Sequence, residues 1–299
     1  MTRYPLAATI TALLLALIVT TATPSHAQST DPAKDPAQAA SAAAAAAAGQ
    51  APSAGDDDDA KLRPMEPDFS LINLPTTLPL PVNAMNFHLT HRFNENLRND
   101  SFGTQASNLF GLDEGATIQL EFRYGVMKHL EAIVSRTNVQ RDIQFSAKYD
   151  AFHQSASQPV GVSAIVGIEG TNNFKENYAP ALGVIVSRTV ADKAAVYATP
   201  IWAHNTYPGT GVMENTFYVG LGARVRVTPT FYLVGEVSPR VSGYTPGDAE
   251  FAFAFEKRVG AHDFSLTFAN TSATTYGQLA RGGNPHSLYL GFNLARKFF

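Results

Sequence analysis

The sequence predicts an all-β chain, an antiparallel transmembrane β-barrel of about twelve strands behind a disordered N-terminal segment. Three observations predict it. Apolar and polar residues alternate with period two from Asn83 to the C-terminus. Short and long links take turns between the alternating runs. The apolar face of the clearest run also matches the height of a membrane's hydrocarbon band.

The chain opens with one basic residue, Arg3, an apolar run centred on Leu13 to Val19, and the small-x-small pattern Ser25-His26-Ala27. This pattern predicts a signal peptide over 1–27, cut after Ala27. No later stretch approaches the roughly 18 apolar residues that a spanning helix needs. Residues 28–70 read as an acidic, Ala- and Pro-rich linker carrying eight acids and three bases. Such a composition buries too little apolar surface to offset its ordering entropy. The run Asp56 to Asp59 lacks the alternation and the glycine turn of a calcium loop, so it reads as solvated. Residues 71–299 read as the barrel. Its approach, "LPTTLPLPV" from Leu74 to Val82, is extended and proline-stiffened, with folding into the lumen as a plug the second reading.

In "ATIQLEFRYGV", Ala116, Ile118, Leu120, Phe122, Tyr124 and Val126 share one face, while Thr117, Gln119, Glu121, Arg123 and Gly125 share the other. Similar runs follow at "DIQFSAKYDAF", "PVGVSAIVGIEG", "TFYVGLGARVRV", "EFAFAFEKR" and "HDFSLTFAN". Weaker candidates lie near 130–138, 181–189, 194–203 and 231–240. Alternation alone does not separate a soluble sandwich from a membrane barrel. The links favour the barrel: short turns at 127–129, 191–193, 228–230 and 259–261 alternate with longer polar segments such as 94–115 and 271–286, with 139–141 a short exception on the outer side and 153–158 a longer one on the inner side. Length agrees, since eleven residues extend about 33 Å, and a tilt near 40° reduces that to about 25 Å. The chain also stops inside a strand, "SLYLGFNLARKFF". A terminal Phe299 in register with Leu290, Phe292 and Leu294 would need a bulge near Arg296-Lys297. An aromatic end of this kind is an address for the outer-membrane assembly machinery, and membrane lipid is the other expected partner.

Cysteine is absent, which excludes disulfides, thiolate catalysis and c-type haem attachment. Residues 71–299 carry seventeen acids and eighteen bases, so no basic field recommends a nucleic-acid partner. In "NFHLTHRF", His88 and His91 are three apart on a strand and point to opposite faces, which argues against a shared metal. His91 and Arg92 are expected to bond loop carbonyls near the outer interface. No nucleophile elbow is present, and the adjacent pair His262-Asp263 falls at a short turn, so neither an enzyme nor a cofactor is expected, with a rim hydrolase using His262 the alternative left open. The lumenal parity set contains Arg92, Glu121, Arg123, Lys148, Asp150, Arg224, Arg226, Glu236, Glu256 and Arg258, spaced by small residues including Gly220 and Gly222. Signs are nearly balanced, so no strong ion selectivity follows.

The stretches "NLPTTLPLPVNAMNFHLTHRF", "LFGLDEGATIQLEFRYGV", "SRTNVQRDIQFSAKYDAF" and "GAHDFSLTFANTS" resemble a bacterial outer-membrane β-barrel family, domain of unknown function 5777. The resemblance covers about residues 70–299. It implies an outer-membrane barrel of a Gram-negative bacterium and carries no assigned activity, ligand or catalytic residue. His91, Arg92, Phe93 and His262 are its landmarks. Two functions follow as expectations: a narrow porin-like channel for passive solute passage, or a sealed structural barrel whose N-terminal segment holds a periplasmic protein.

Overall fold

The computed structural model describes residues 65–112, 114–206 and 214–299. The expected signal peptide and most of the linker therefore lie outside the described residues. The strands are β1 (Met85–Asn96), β2 (Ala116–Met127), β3 (Leu130–Thr137), β4 (Ile143–Phe152), β5 (Gly161–Gly170), β6 (Glu176–Val190), β7 (Ala194–Ala203), β8 (Thr216–Thr228), β9 (Phe231–Ser238), β10 (Arg240–Ser242), β11 (Glu250–Val259), β12 (His262–Ala269) and β13 (Tyr289–Phe298). Twelve of them form a closed antiparallel ring, with β9 bridging β8 to β11 and with β13 paired to β1. Closure leaves no strand edge inside the ring to satisfy in lipid. The three-residue β10 stands outside the ring, continuing β9 past Pro239 to pair with the upper end of β8.

The period-two sequence pattern is reproduced as alternating burial. Along β3, Glu131, Ile133, Ser135 and Thr137 are buried, while Ala132, Val134 and Arg136 are exposed. The outward side presents a belt of exposed large apolar residues, including Leu120, Phe122, Phe145, Leu182, Phe253 and Leu266. Among the described residues no helix is long and apolar enough to cross a membrane. Phe122 lies mid-strand on this belt and packs on Phe87 at a centroid distance of 5.1 Å. Placing a charge there removes apolar contact and drives a guanidinium into hydrocarbon. Phe122→Arg is expected to cost about 2–4 kcal/mol, against about 0–1 kcal/mol for Val126→Arg near the rim, measured by equilibrium refolding into vesicles.

We call the end where β1 begins the lower rim. The bulge expected near Arg296-Lys297 is not there. The β1–β13 register runs unbroken from Met85↔Phe298 to Arg92↔Gly291. Phe298 occupies the outward position that the parity of Leu290 and Phe292 requires, and Lys297 points inward, where it has a partner.

The ring starts at Met85, and residues 65–80 run inside it, with Met65, Phe69, Leu71, Ile72, Leu74, Leu78 and Leu80 all buried. Their spacing follows no single period, since a segment surrounded on every side has no solvent face to mark. Plug is the reading the structure adopts, and the extended approach to β1 is confined to its last residues.

Candidate functional site

The lumen is occupied by a hairpin. A tight turn at its tip is closed by the Leu71 amide donating to the Leu74 carbonyl at 2.8 Å, and Thr76 N donates to Phe69 O at 2.9 Å. Among the described residues its only β-bridge is internal, Ser70↔Pro75, so it is not part of the barrel's sheet. The ascending limb passes Lys297 near the lower rim, and the descending limb returns to that rim, where Asn83 N donates to Gly125 O at 2.8 Å. Gly125 is needed at this crossing because a Cβ there would stand 1.9 Å from the Pro81 carbonyl oxygen.

Every lumenal residue expected from parity faces this interior. Arg92, Arg123, Lys148, Asp150, Arg224, Glu236 and Glu256 are buried. Glu121, Arg226 and Arg258 are half-buried on the same side of their strands. The charges of Arg123, Lys148 and Arg224 are balanced locally. Arg123 bridges Glu121 at 2.7 Å and Glu131 at 3.2 Å, Lys148 lies 3.3 Å from Glu131 and 3.7 Å from Asp150, and Arg224 meets Glu256 at 2.8 Å. Buried ions survive only when paired and hydrogen-bonded.

The remaining donors of the same side chains hold the hairpin. Lys148 Nζ donates to the carbonyls of Thr76 at 3.1 Å and Leu78 at 2.6 Å, and Arg224 Nη2 donates to Ser70 O at 2.8 Å. Lys297 Nζ donates to Pro67 O, and Asn293 Nδ2 donates to Ile72 O at 2.9 Å. At the tip the Glu236 carboxylate accepts three consecutive amides, from Ile72 at 3.1 Å, Asn73 at 2.8 Å and Leu74 at 3.2 Å. Asn73 adds a side-chain bond to Glu250 at 3.2 Å. Below the tip, Thr77 Oγ1 meets Ser187 Oγ at 2.5 Å, and the Phe69 ring lies 5.3 Å from Lys297 Nζ.

A second inward segment closes the upper half. The link 270–288 turns through a short helix, Tyr276–Ala280, whose Leu279 and Ala280 bury against Ile201, Ala203 and Tyr218 of the wall. Gly277 N donates to Glu169 at 3.0 Å, and Gln278 Nε2 donates to Asp142 at 2.7 Å. Burial under this link pushes the Asp142 carboxyl up from its usual value, against the opposing pull of that hydrogen bond and of the Arg281 charge. Between hairpin, wall and link, the gap lined by Ser70, Asn73, His88, Glu121, Arg123 and Tyr276 holds about 20 Å³, room for about one water.

The landmark residues separate. His88 points inward, 3.8 Å from Asp68, whereas His91 points outward, stacks on Phe292 at 4.7 Å and meets Phe93 edge-on at 4.6 Å. The expected bonds to loop carbonyls are not made. Arg92 instead donates to His91 O at 3.1 Å, Asn293 Oδ1 at 2.7 Å and Asn73 Oδ1 at 3.3 Å, because its inward parity aims it at the hairpin tip. His262 stacks outward on Phe264, and Asp263 is buried inward. Among the described residues no three metal-ligating side chains converge.

Sequence reasoning missed Glu250, Asn293 and Lys297. Glu250 shares parity with Glu256 in "EFAFAFEKR" and was legible there; Asn293 shares parity with Gly291 opposite Leu290 and Phe292. Lys297 was lost with the bulge that is not formed.

The family model of a membrane bound beta barrel domain matches residues 68–298. The chain belongs to this family, domain of unknown function 5777. The match starts inside the ascending limb, so the family unit includes the hairpin tip. No curated protein sequence matches the chain. Similar solved structures include the NanC porin, at 10% identity over 72% of this chain and 99% of that one, with a TM-score of 0.49. The KdgM porin aligns at 8% identity over 72% and 98% of the two chains, with a TM-score of 0.46. An outer membrane channel of Pseudomonas putida F1 aligns at 13% identity over 73% and 97%, with a TM-score of 0.47.

Proposed function

We propose that this membrane barrel lies in the outer membrane of a Gram-negative cell and acts as a narrow passive solute channel, shut in the described conformation by its own hairpin. The observation that carries the reading is how the hairpin is held. Wall side chains grip its main chain, it shares no strand pairing with the wall, and both limbs sit at the lower rim. Such a segment leaves through one rim without unthreading, and water replaces the hydrogen bonds it gives up. The vacated path would run past Arg92, Glu121, Arg123, Lys148, Asp150 and Arg224, with both signs of charge and little ion preference. The location rests on the signal peptide read at 1–27, on the even number of ring strands, and on Phe298-Phe299 at the end of the closing strand as the address for the assembly machinery. No enzymatic role is proposed, because His262 and Asp263 stand on opposite faces of β12.

The second reading, a sealed barrel that binds a periplasmic protein through its N-terminal segment, is favoured by the narrow gap between hairpin and wall. Single-channel conductance in a planar bilayer decides between them. The natural chain has no cysteine, so Thr77→Cys/Ser187→Cys introduces one disulfide, at a site where the native oxygens are 2.5 Å apart. Intermittent current is expected under reducing conditions and none after oxidation. Silence under both conditions from folded protein would support the sealed barrel.

A further inference from the structure

We infer that the lumen wall is a peptide-binding site, that residues 69–78 are its tethered occupant, and that the solutes of the opened barrel are short peptides with leucine-like side chains. The passage of such solutes rests on the channel reading; the binding site does not.

Two features of the wall carry the inference. First, it addresses groups that every peptide has. Arg224, Asn293 and Lys148 donate to main-chain carbonyls at 2.6–3.1 Å, and Glu236 accepts three successive main-chain amides at 2.8–3.2 Å. Main-chain groups buried in the lumen must be paired, and donors and acceptors placed for them serve any peptide that presents its backbone in the same way. Second, β8 provides two sockets. A Cβ at Gly222 would stand 2.3 Å from Leu71 Cδ1, and one at Gly220 would stand 2.6 Å from Leu74 Cδ2. The missing side chains on the wall are the room into which the ligand's two leucines fit. Backbone bonds hold the turn and the two sockets choose the leucines that flank it, a division of labour between main-chain affinity and side-chain specificity. A cavity of about 480 Å³ opens at the lower rim beside Met65 and Glu66, between Gln154, Thr189 and Asp192, and provides the approach.

The test severs the tether in the folded protein. A specific protease site is inserted between Val82 and Asn83, on the exposed return to β1. After cleavage, binding of a fluorescent synthetic peptide of residues 66–81 is followed by anisotropy in detergent. Saturable binding is expected, displaced by the unlabelled peptide. A peptide carrying Leu71→Asp and Leu74→Asp should bind about 100-fold more weakly, from loss of both buried side chains. An unrelated peptide with two leucines flanking a two-residue turn should bind within about tenfold of the native one. Equal binding of the aspartate peptide would overturn the site. So would absence of binding after the cleaved segment has been released in mild denaturant and washed away from the folded barrel. Current through the same protein separates the two readings. Peptide binding without current keeps the site and removes the channel; current indifferent to peptide, with no binding, does the reverse.

Discussion

In a Glu236→Ala variant the hairpin tip comes free while the barrel stays closed in its ring. Among the described residues the carboxylate is the one acceptor for the amides of Ile72, Asn73 and Leu74, and its removal strands them away from water. Each buried donor left unpaired costs about 1–3 kcal/mol. Even a total of about 3 kcal/mol raises the fraction of molecules with a displaced tip on the order of 100-fold. The ring's strand pairing is untouched, because Glu236 contributes to it only through its backbone, opposite Ala252 and Gly222. The measurement is the labelling rate of a single cysteine at Asn73 by a water-soluble thiol reagent. Glu236→Gln retains one acceptor oxygen and should fall between the two. A labelling rate unchanged by Glu236→Ala would show that the leucine sockets alone hold the tip.

Lys148→Met has the opposite character: it weakens the barrel itself. Lys148 is fully buried among Glu131, Asp150 and two hairpin carbonyls. Methionine matches the stem but leaves Asp150 with only the Ser163 hydroxyl and leaves Glu131 with Arg123 alone. Removing one partner of a buried ionic cluster costs about 3–5 kcal/mol, expected as a lower denaturant midpoint for the folded form on a gel. Arg226→Ala, at a half-buried position near the lower rim, should change that midpoint by no more than about 0.5 kcal/mol.

The contrast between these two residues and the hairpin shows what the sequence makes legible. Glu236 and Lys148 are readable because a strand gives every second residue to the same face, so one apolar partner such as Phe145 fixes the direction of Lys148. Ten interior residues follow from that rule alone. The hairpin does not, since Leu71, Ile72 and Leu74 are enclosed from all sides and their order carries no period, while the prolines that flank them suit a linker equally well. Lys297 marks a third case. The parity of Leu290, Phe292 and Leu294 points it inward, but the bulge that would bring Phe299 into their register removes that assignment, and a one-residue slip turns every side chain beyond it to the other face. The outward turn of His91 was likewise legible from parity, whereas the bond from Arg92 to Asn73 required knowing where the tip lies.

The direct attachment of the hairpin to β1 at Ala84 and Met85 sets how the lumen competes for its contents. An occupant joined to its site by no intervening linker is present at an effective concentration of about millimolar or above. A free peptide at micromolar concentration must then bind about a thousandfold more tightly than the resident segment to displace it half of the time. Ordinary peptides in the surroundings would leave such a lumen closed, and turnover would belong to conditions that either raise their local abundance or weaken the resident's hold.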